Sequence, residues 1–373
     1  MVDVGYYNSL PIERADHLFH ADIRYSAVYL SAILTYIYGM LQHFIDNIDI
    51  FMCPSCCGSL TVSKDIIACV SCGKEYPNDG GICQFYCSRE PDSAKKDVTE
   101  EVKRFYTDTP FPNYEDIESA GDLIEKARQN IFARLLDEQT PYFIRVLEVG
   151  CGTGQLSNFL GISQRTVFGT DMCFNSLRLA EDFRIRHHLE RVGFYQMNLF
   201  RPIFKAESFP LVICHGVLHH TSAPFEGFKT LAGLVCKGGY IIIGLYNKYG
   251  RISTDIRRLL FKIFGRKLHF LDPYLNRSDI GERLKSTWLK DQYMHPHESK
   301  HTFGEVLRWF GRTGFIFVKS IPKASPFQEF SPDENMFKGS SPGNAMDHFF
   351  VQMALAFTGY KDGGLFLVIG RKI

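Results

Sequence analysis

The sequence of 373 residues has almost no net charge, because 42 lysine and arginine residues are balanced by 41 aspartate and glutamate residues. The chain as a whole therefore gives no electrostatic reason to bind nucleic acid, and any basic surface must be local. Low complexity is also absent, since 45% of the residues are hydrophobic and the 31 glycines are scattered. These features exclude a disordered chain, a collagen and a coiled coil.

A secretory signal is not visible, because no basic stretch followed by an apolar stretch and a small-residue cleavage site stands at the N-terminus. The chain has 11 cysteines, which is an odd number. Both observations argue against a framework of disulfides and predict a cytoplasmic protein with reduced thiols.

The run from Tyr25 to Phe44 is mostly apolar and about as long as the ~20 residues that cross a bilayer. Lysine and arginine are missing between Tyr25 and Ser63, so the basic flanks that orient a spanning helix are missing too. We expect residues 1–50 to be a helical leader or lid whose apolar helix packs against the rest of the protein. Association with a membrane through residues 25–44, on its surface or across it, is the alternative.

Short apolar runs alternate with helix-length amphipathic stretches from about residue 97 onward. The predicted strands are Arg145–Val149, Thr166–Gly169, Gly193–Met197, Leu211–Cys214, Gly239–Leu245, Phe315–Ile321 and Gly364–Gly370. This alternation predicts an α/β fold with a doubly wound, mostly parallel sheet between two layers of helices. We expect one domain over 97–373, with insertions at about 248–300 and 325–362 that act as lids or binding loops.

Three alternate glycines, Gly150, Gly152 and Gly154, follow the first of these strands and precede a predicted helix. Glycines at this place let the backbone pass close to a ligand. The dinucleotide-binding fingerprint requires another glycine where Gln155 stands, which disfavours NAD. An acidic residue, Asp171, ends the next strand 21 residues after Gly150, where nucleotide-binding folds place the carboxylate that binds ribose.

This loop and the stretch Gly216-Val217-Leu218-His219-His220 resemble the class I S-adenosylmethionine-dependent methyltransferases, in the group that includes the ubiquinone and menaquinone biosynthesis methyltransferases. The resemblance is close over residues 100–247 and looser over 301–373. It implies a Rossmann-like, seven-stranded fold and S-adenosylmethionine as cofactor. The residues that it places at the cofactor are Glu148, Gly150, Cys151, Gly152, Gly154, Asp171, Met172, Asn198 and Leu199.

Two parts of this family pattern differ in the sequence. Asn198 stands where the family usually has an acid that binds the adenine amino group, although an amide oxygen also accepts such a bond. The Asn-Pro-Pro-Tyr signature of enzymes that methylate amino groups is absent. Its absence disfavours methylation of a base amino group or a protein amide.

The candidate catalytic residues are His219, His220 and Tyr246. The histidines follow the fourth strand, where open α/β sheets bind ligands, and histidine is suited to proton transfer near neutral pH. An equally good interpretation is that they shape the loop or contact the cofactor. Just after Tyr246, Lys248 and Arg251 are placed either to pair with an anionic group of the acceptor or to form a solvated turn.

Cys53, Cys56, Cys69 and Cys72 form two Cys-x-x-Cys pairs separated by twelve residues. Four thiolates on paired turns predict a structural zinc ion within a module spanning residues 51–90. The module resembles the zinc ribbons of an rRNA guanine methyltransferase and of small methyltransferase-activating subunits. Cys57, Cys83 and Cys87 are left as free thiols.

The favoured function is transfer of a methyl group to a small-molecule or lipid-like acceptor. A tRNA or rRNA acceptor is the main alternative, because Lys248 to Lys267 contains seven basic residues and a single acidic one. Two further alternatives remain. The protein could use the sulfonium of the cofactor for chemistry other than methyl transfer, or it could bind the cofactor as a non-catalytic scaffold. A cluster of histidines, His295, His297 and His301, is a weaker candidate for metal binding or base catalysis, since Pro296 interrupts regular spacing.

Overall fold

The computed structural model describes residues 41–63, 66–88, 98–108, 110, 114, 116–265, 270–278, 280–326, 328, 330–358 and 363–373. Most of the predicted leader, including residues 25–40, lies outside this part of the chain, as do residues 89–97 between the cysteine-rich module and the main domain. Residues 41–46 are helical, and Leu41 and Phe44 are buried. Within the described residues, no helix combines the length and the apolar character that crossing a membrane requires.

Twelve strands are present in the described part of the chain. They are β1 (Leu60–Ser63), β2 (Ile66–Cys69), β3 (Glu75–Tyr76), β4 (Asn78–Asp79), β5 (Ile82–Gln84), β6 (Arg145–Val149), β7 (Thr166–Asp171), β8 (Val192–Gln196), β9 (Phe209–His215), β10 (Val235–Tyr246), β11 (Phe315–Ile321) and β12 (Leu365–Lys372). β1 to β3 form a small antiparallel sheet. The other nine strands form the main sheet.

The strand order in the main sheet is β11-β12-β10-β9-β6-β7-β8-β5-β4. All pairs from β5 to β10 are parallel, whereas β12 runs antiparallel to both of its neighbours. The predicted α/β class and its seven strands are confirmed. Two further strands, β4 and β5, come from the cysteine-rich module and extend the sheet beyond β8.

Ten helices with defined bounds surround the sheet within the described residues. They are α1 (Thr99–Asp108), α2 (Ala120–Gln129), α3 (Ile131–Gln139), α4 (Gln155–Ile162), α5 (Phe174–Arg186), α6 (Pro224–Leu234), α7 (Ile252–Phe264), α8 (Glu282–Met294), α9 (Phe303–Thr313) and α10 (Ala345–Thr358). The predicted 248–300 insertion contains α7 and α8, and the predicted 325–362 insertion contains α10.

The central strands are buried on both faces, which explains their continuous apolar character. Successive residues enter opposite faces: Val146 and Val167 pack in one hydrophobic cluster, and Leu147 and Phe168 pack in the other. The second cluster extends into the cysteine-rich module, where Phe51 packs against Phe204 with ring centroids 4.9 Å apart. The module and the main sheet therefore share one core.

The chain order changes direction between β6 and β9, which are adjacent in the sheet. The loops that leave two strands on either side of such a switch point diverge, and the crevice between them is where open α/β sheets bind ligands. Here the crevice opens at Gly150 after β6 and at Gly216 after β9, both with left-handed backbone.

Candidate functional site

A cavity of about 670 Å³ lies at the carboxyl ends of β6 to β10. Ten of the residues that the sequence predicted for the site line it: Glu148, Gly150, Cys151, Gly152, Asp171, Met172, Asn198, Leu199, His220 and Tyr246. The other two predicted residues, Gly154 and His219, do not. Residues from five strands thus converge on one volume, which fits a nucleoside cofactor together with a second molecule.

The glycine loop has three left-handed residues, with φ of +72° at Gly150, +54° at Gly152 and +73° at Gly154. A Cβ atom at Gly150 would lie 2.2 Å from Cγ2 of Val217. A Cβ atom at Gly154 would lie 2.6 Å from Cβ of Ala180, in the core behind the loop. Gly150 therefore shapes the cavity wall, whereas Gly154 lets α4 pack closely against α5.

The Asp171 carboxylate lies at the end of β7 and lines the cavity. Its Oδ2 accepts a hydrogen bond from the backbone N–H of Gly152 at 2.9 Å, and its Oδ1 accepts one from the N–H of Cys173 at 2.8 Å. Burial raises the pKa of Asp171, and these two bonds oppose the rise. The carboxylate is held in one orientation and keeps lone pairs for two ligand hydroxyls, as a ribose requires.

Glu148 is buried on β6, and its Oε2 accepts a 2.5 Å hydrogen bond from the hydroxyl of Ser157. Burial raises the pKa of Glu148 to about 7, with the Ser157 bond acting in the opposite direction. Because a positive charge nearby favours the ionised form, this site is suited to a cationic ligand group.

The Asn198 side chain is held at both ends. Its Nδ2 donates to the carbonyl of Cys87 at 3.1 Å, and its Oδ1 accepts from the backbone N–H of Phe200 at 3.0 Å. The bond to Cys87 connects the cysteine-rich module directly to the cavity wall. The amide oxygen retains a second lone pair, so the predicted contact with an adenine amino group is compatible with this geometry.

His220 and His219 occupy different environments, although both are buried. His220 lines the cavity, and its Nδ1 is 2.9 Å from the carbonyl oxygen of His297, while burial lowers its pKa to about 4. His219 has no hydrogen-bond partner for either ring nitrogen among the described residues, and its ring centroid lies 3.9 Å from that of Tyr246. His219 therefore supports the Tyr246 ring from behind the cavity.

Tyr106 on α1 and Asp291 and Gln292 on α8 are among the polar residues of the cavity wall that the sequence did not reveal. The Tyr106 hydroxyl donates to Oδ1 of Asp291 at 3.2 Å, and Nε2 of Gln292 donates to Oδ2 at 2.9 Å. Gln292 Nε2 also lies 3.2 Å from the Tyr246 hydroxyl. Asp291 belongs to the predicted lid insertion, but no motif marks it, so the sequence offered only the general expectation of lid contacts.

The basic stretch after β10 is largely internal. Arg251 is fully buried and donates to Glu298, Gln292 and the carbonyl of Gly363. Arg257 forms an ion pair with Asp272, and Arg258 forms one with the same Glu298 that Arg251 binds. Arg251 is therefore committed to internal partners, and it lies neither in a solvated turn nor free to pair with an acceptor, whereas Lys248 and Lys262 are exposed.

The histidines after α8 pack against protein groups. The His295 ring centroid lies 3.7 Å from that of His220, and His301 Nδ1 lies 3.0 Å from Oε1 of Glu305. Among the described residues, His, Cys, Asp and Glu side chains grouped closely enough to hold a metal occur at the four cysteines Cys53, Cys56, Cys69 and Cys72.

The four predicted zinc ligands are close together. Their Sγ atoms lie within 4.8 Å of one another, with 3.7 Å between Cys53 and Cys72 and 3.4 Å between Cys56 and Cys69. A tetrahedral site with Zn–S bonds of about 2.3 Å requires sulfur atoms about 3.8 Å apart. The donor set and its spacing therefore fit a zinc ion.

The two cysteine turns have the same pattern of backbone hydrogen bonds. The Cys57 N–H bonds to the Cys53 carbonyl, and the Gly73 N–H bonds to the Cys69 carbonyl. These repeated turns place all four thiols on one side of the module. Cys57, Cys83 and Cys87 lie outside this group, as expected for free thiols.

Part of the chain is similar to known methyltransferases. A family model described as a methyltransferase domain matches residues 147–243, from β6 into β10. An uncharacterized protein of Synechococcus sp. is 26% identical over 202 residues, which cover 47% of this chain and 48% of that protein. The chain thus spans about half the length of that relative.

A ubiquinone biosynthesis O-methyltransferase of Salmonella newport is 25% identical over 166 residues, covering 43% of this chain and 68% of that protein. Among solved structures, the magnesium protoporphyrin IX methyltransferase of Synechocystis with bound SAH is 16% identical, with a TM-score of 0.43, covering 74% of this chain and all of that one. The family model and the Salmonella relative bear out the predicted resemblance to class I S-adenosylmethionine-dependent methyltransferases.

Proposed function

We propose that this protein is an S-adenosylmethionine-dependent methyltransferase that acts on a small-molecule or lipid-like acceptor. The observation that carries the proposal is one cavity lined both by the glycine loop and Asp171 and by Tyr106, His220, Tyr246 and Asp291. A cofactor and an acceptor bound in this cavity would meet inside the protein.

S-adenosylmethionine, when bound, supplies a methyl group on a positively charged sulfur. Asp171 would bind the ribose hydroxyls, and Glu148 would face the cationic end of the cofactor. Tyr106 and Tyr246, from two different elements, would hold the acceptor in line and exclude water. Such positioning in a dry site contributes up to ~7–11 kcal/mol to the lowering of a barrier.

The charges that line the cavity support a neutral or cationic acceptor over a polyanion. Glu148, Asp171 and Asp291 are acidic, whereas Lys126 is the one lysine or arginine among the described lining residues, and it is exposed. RNA recognition instead relies on basic side chains that meet phosphates. The internal pairing of Arg251, Arg257 and Arg258 removes much of the basic surface on which an RNA acceptor would depend.

The experiment that tests the proposal uses purified protein, cofactor labelled in the methyl group, total RNA, and the metabolite and lipid fractions of a cell extract. We expect S-adenosylhomocysteine to form and the label to enter the metabolite or lipid fraction. Label in RNA would replace the proposed acceptor class by the alternative. Consumption of cofactor without S-adenosylhomocysteine would indicate non-methyl chemistry, and no consumption would indicate a scaffold.

The lipid-like acceptor is supported by an apolar surface on α7 and α10, which lie next to each other. On α7, Ile256, Leu259 and Ile263 are exposed, and on α10 all of Met346, Phe349, Phe350, Met353 and Phe357 are at least 38% exposed. Large exposed apolar patches on a protein mark sites of contact with a membrane or another protein. The exposed cations Lys248, before α7, and Lys262, on α7, suit an anionic lipid surface.

Vesicle binding tests this surface. We expect the protein to sediment with vesicles of phosphatidylcholine and phosphatidylglycerol, and the double substitution Phe349→Ser and Phe357→Ser to weaken binding about tenfold or more, because each buried phenylalanine contributes ~1.5–3 kcal/mol. Tyr142→Ser removes an equally exposed aromatic ring from another surface and is the control. Equal binding of all three proteins, or none by the wild type, would argue against this surface as a lipid contact.

A further inference from the structure

We propose that Asp291 is the general base of the reaction, and that the acceptor reacts through a neutral hydroxyl or amine whose proton passes to this carboxylate. The inference rests on the proposed methyltransferase function and deepens it, because it names the chemical class of acceptor. It is carried by the position of one buried carboxylate in the cavity wall.

Three carboxylates line the cavity, and their partners differ. Asp171 is occupied by two backbone N–H groups that fix the glycine loop, and Glu148 by the hydroxyl of Ser157. Asp291 is held instead by two neutral side chains, the Tyr106 hydroxyl and the Gln292 amide. These hold its orientation but leave it free to accept a proton, since each oxygen keeps a further lone pair.

The other candidate bases are poorly suited to this step. His220 is buried, its Nδ1 is engaged by the His297 carbonyl, and burial lowers its pKa to about 4. His219 does not line the cavity. The Tyr246 phenol is kept neutral, since burial raises its pKa, so it serves as a hydrogen-bonding wall. Burial raises the pKa of Asp291, which makes its carboxylate a stronger base than an exposed aspartate.

Asp291 is held in place by residues of two helices. Tyr106 from α1 donates to it directly, and Gln292 from α8 donates both to it and to the hydroxyl of Tyr246 on β10. Gln292 receives a hydrogen bond from the guanidinium of Arg251, which also lies over the Tyr246 ring with 3.9 Å to its centroid. Arg251 is neutralised by Glu298. Arg251 is therefore a positioning residue that orders Gln292 and Tyr246 around Asp291.

The proposed step balances in atoms and charge. The acceptor oxygen or nitrogen forms a bond to the methyl carbon, the bond from that carbon to sulfur breaks, and sulfur keeps the electron pair. The proton of the acceptor moves to Asp291, which later releases it to water. A carboxylate or phosphate on the acceptor next to Asp291 is disfavoured, because it would face a like charge in a buried site.

Binding of a matched pair of probes tests the acceptor class without relying on turnover. The probes are para-tert-butylphenol and para-tert-butylbenzoate, measured by calorimetry on protein saturated with S-adenosylhomocysteine. We expect the phenol to bind at least about tenfold more tightly, and Asp291→Asn to reduce that preference because the charge is gone. Asp182→Asn, which alters an exposed carboxylate on α5, is the control. A benzoate that binds as tightly as the phenol, or a preference unchanged by Asp291→Asn, would overturn the inference.

The labelling experiment with the cell extract identifies the acceptor of the wild type. Turnover of that acceptor then tests the role of Asp291 as general base. We expect Asp291→Asn to lower kcat about 100-fold or more, the range of general-base contributions, with the affinity for S-adenosylhomocysteine unchanged. We expect kcat of the wild type to fall toward acid pH. This fall should disappear in Asp291→Asn and return in Asp291→Glu, which should also recover part of the wild-type kcat. An Asp291→Asn protein with the kcat and the pH profile of the wild type would overturn the role of Asp291 as general base. A wild type that transfers no methyl group would instead refute the proposed function.

Discussion

Replacement of Asp171 by alanine is expected to lower the affinity for S-adenosylhomocysteine by about 100-fold or more. The carboxylate holds the N–H groups of Gly152 and Cys173 and faces the cavity between them. Its loss removes the ribose contacts and frees the loop, and each charge-assisted hydrogen bond contributes ~1.5–3 kcal/mol. Calorimetry on the folded variant measures the effect.

Two further variants show whether the loss of affinity is specific to the Asp171 carboxylate. Asp171→Asn keeps one oxygen acceptor and should give an intermediate affinity, whereas Asp182→Ala removes an exposed carboxylate and should bind like the wild type. An Asp171→Ala protein that is folded and binds S-adenosylhomocysteine as tightly as the wild type would remove the central contact of the proposed cofactor site.

Substitution of Cys69 by serine is expected to abolish zinc binding and to lower the melting temperature by about 5–10 °C or more. A structural zinc ion contributes up to ~10–16 kcal/mol to the folding of an isolated zinc module, and even a part of that is large for a domain. The effect should reach the main sheet, because β5 pairs with β8 and Phe51 packs against Tyr195 with ring centroids 5.0 Å apart.

Cys57 offers a matched control in the same turn. Its thiol is exposed and lies outside the group of four, so Cys57→Ser should retain one zinc per chain and the wild-type melting temperature. Metal analysis of protein purified without chelator, together with thermal unfolding, gives both readouts. Wild-type protein without zinc, or identical melting of the two serine variants, would contradict the assignment of a structural metal.

The module at the N-terminal side also contributes to the cavity itself. The Cys87 carbonyl holds the Asn198 amide, and β4 and β5 lengthen the sheet beside β8. We therefore expect loss of the proposed zinc ion to disturb the cavity wall at Asn198 as well as folding. The pairing of β5 with β8 was not predictable, because two short strands separated by about a hundred residues carry no local sign of their partner.

Local features of the sequence determined the glycine loop and Asp171, where we propose that the cofactor binds. Glycines at 150, 152 and 154 take left-handed backbone that other residues adopt only at a cost, and Asp171 ends a buried strand whose neighbour in the sheet is β6. The four cysteines are equally local, since each pair lies in one turn and a hairpin brings the pairs together. Strand positions followed from apolar runs because strands buried on both faces admit few polar residues.

The tertiary structure alone brought together the polar residues of the proposed acceptor site. Asp291 and Tyr106 are far apart in sequence, and they meet only because α8 packs over the strand ends beside α1. The same packing turned Arg251 inward to Glu298, whereas the sequence was equally compatible with a surface cation. Which face of a lid helix is buried depends on the summed packing of elements distant in sequence, so no local pattern of residues reveals which side chains it presents to the acceptor.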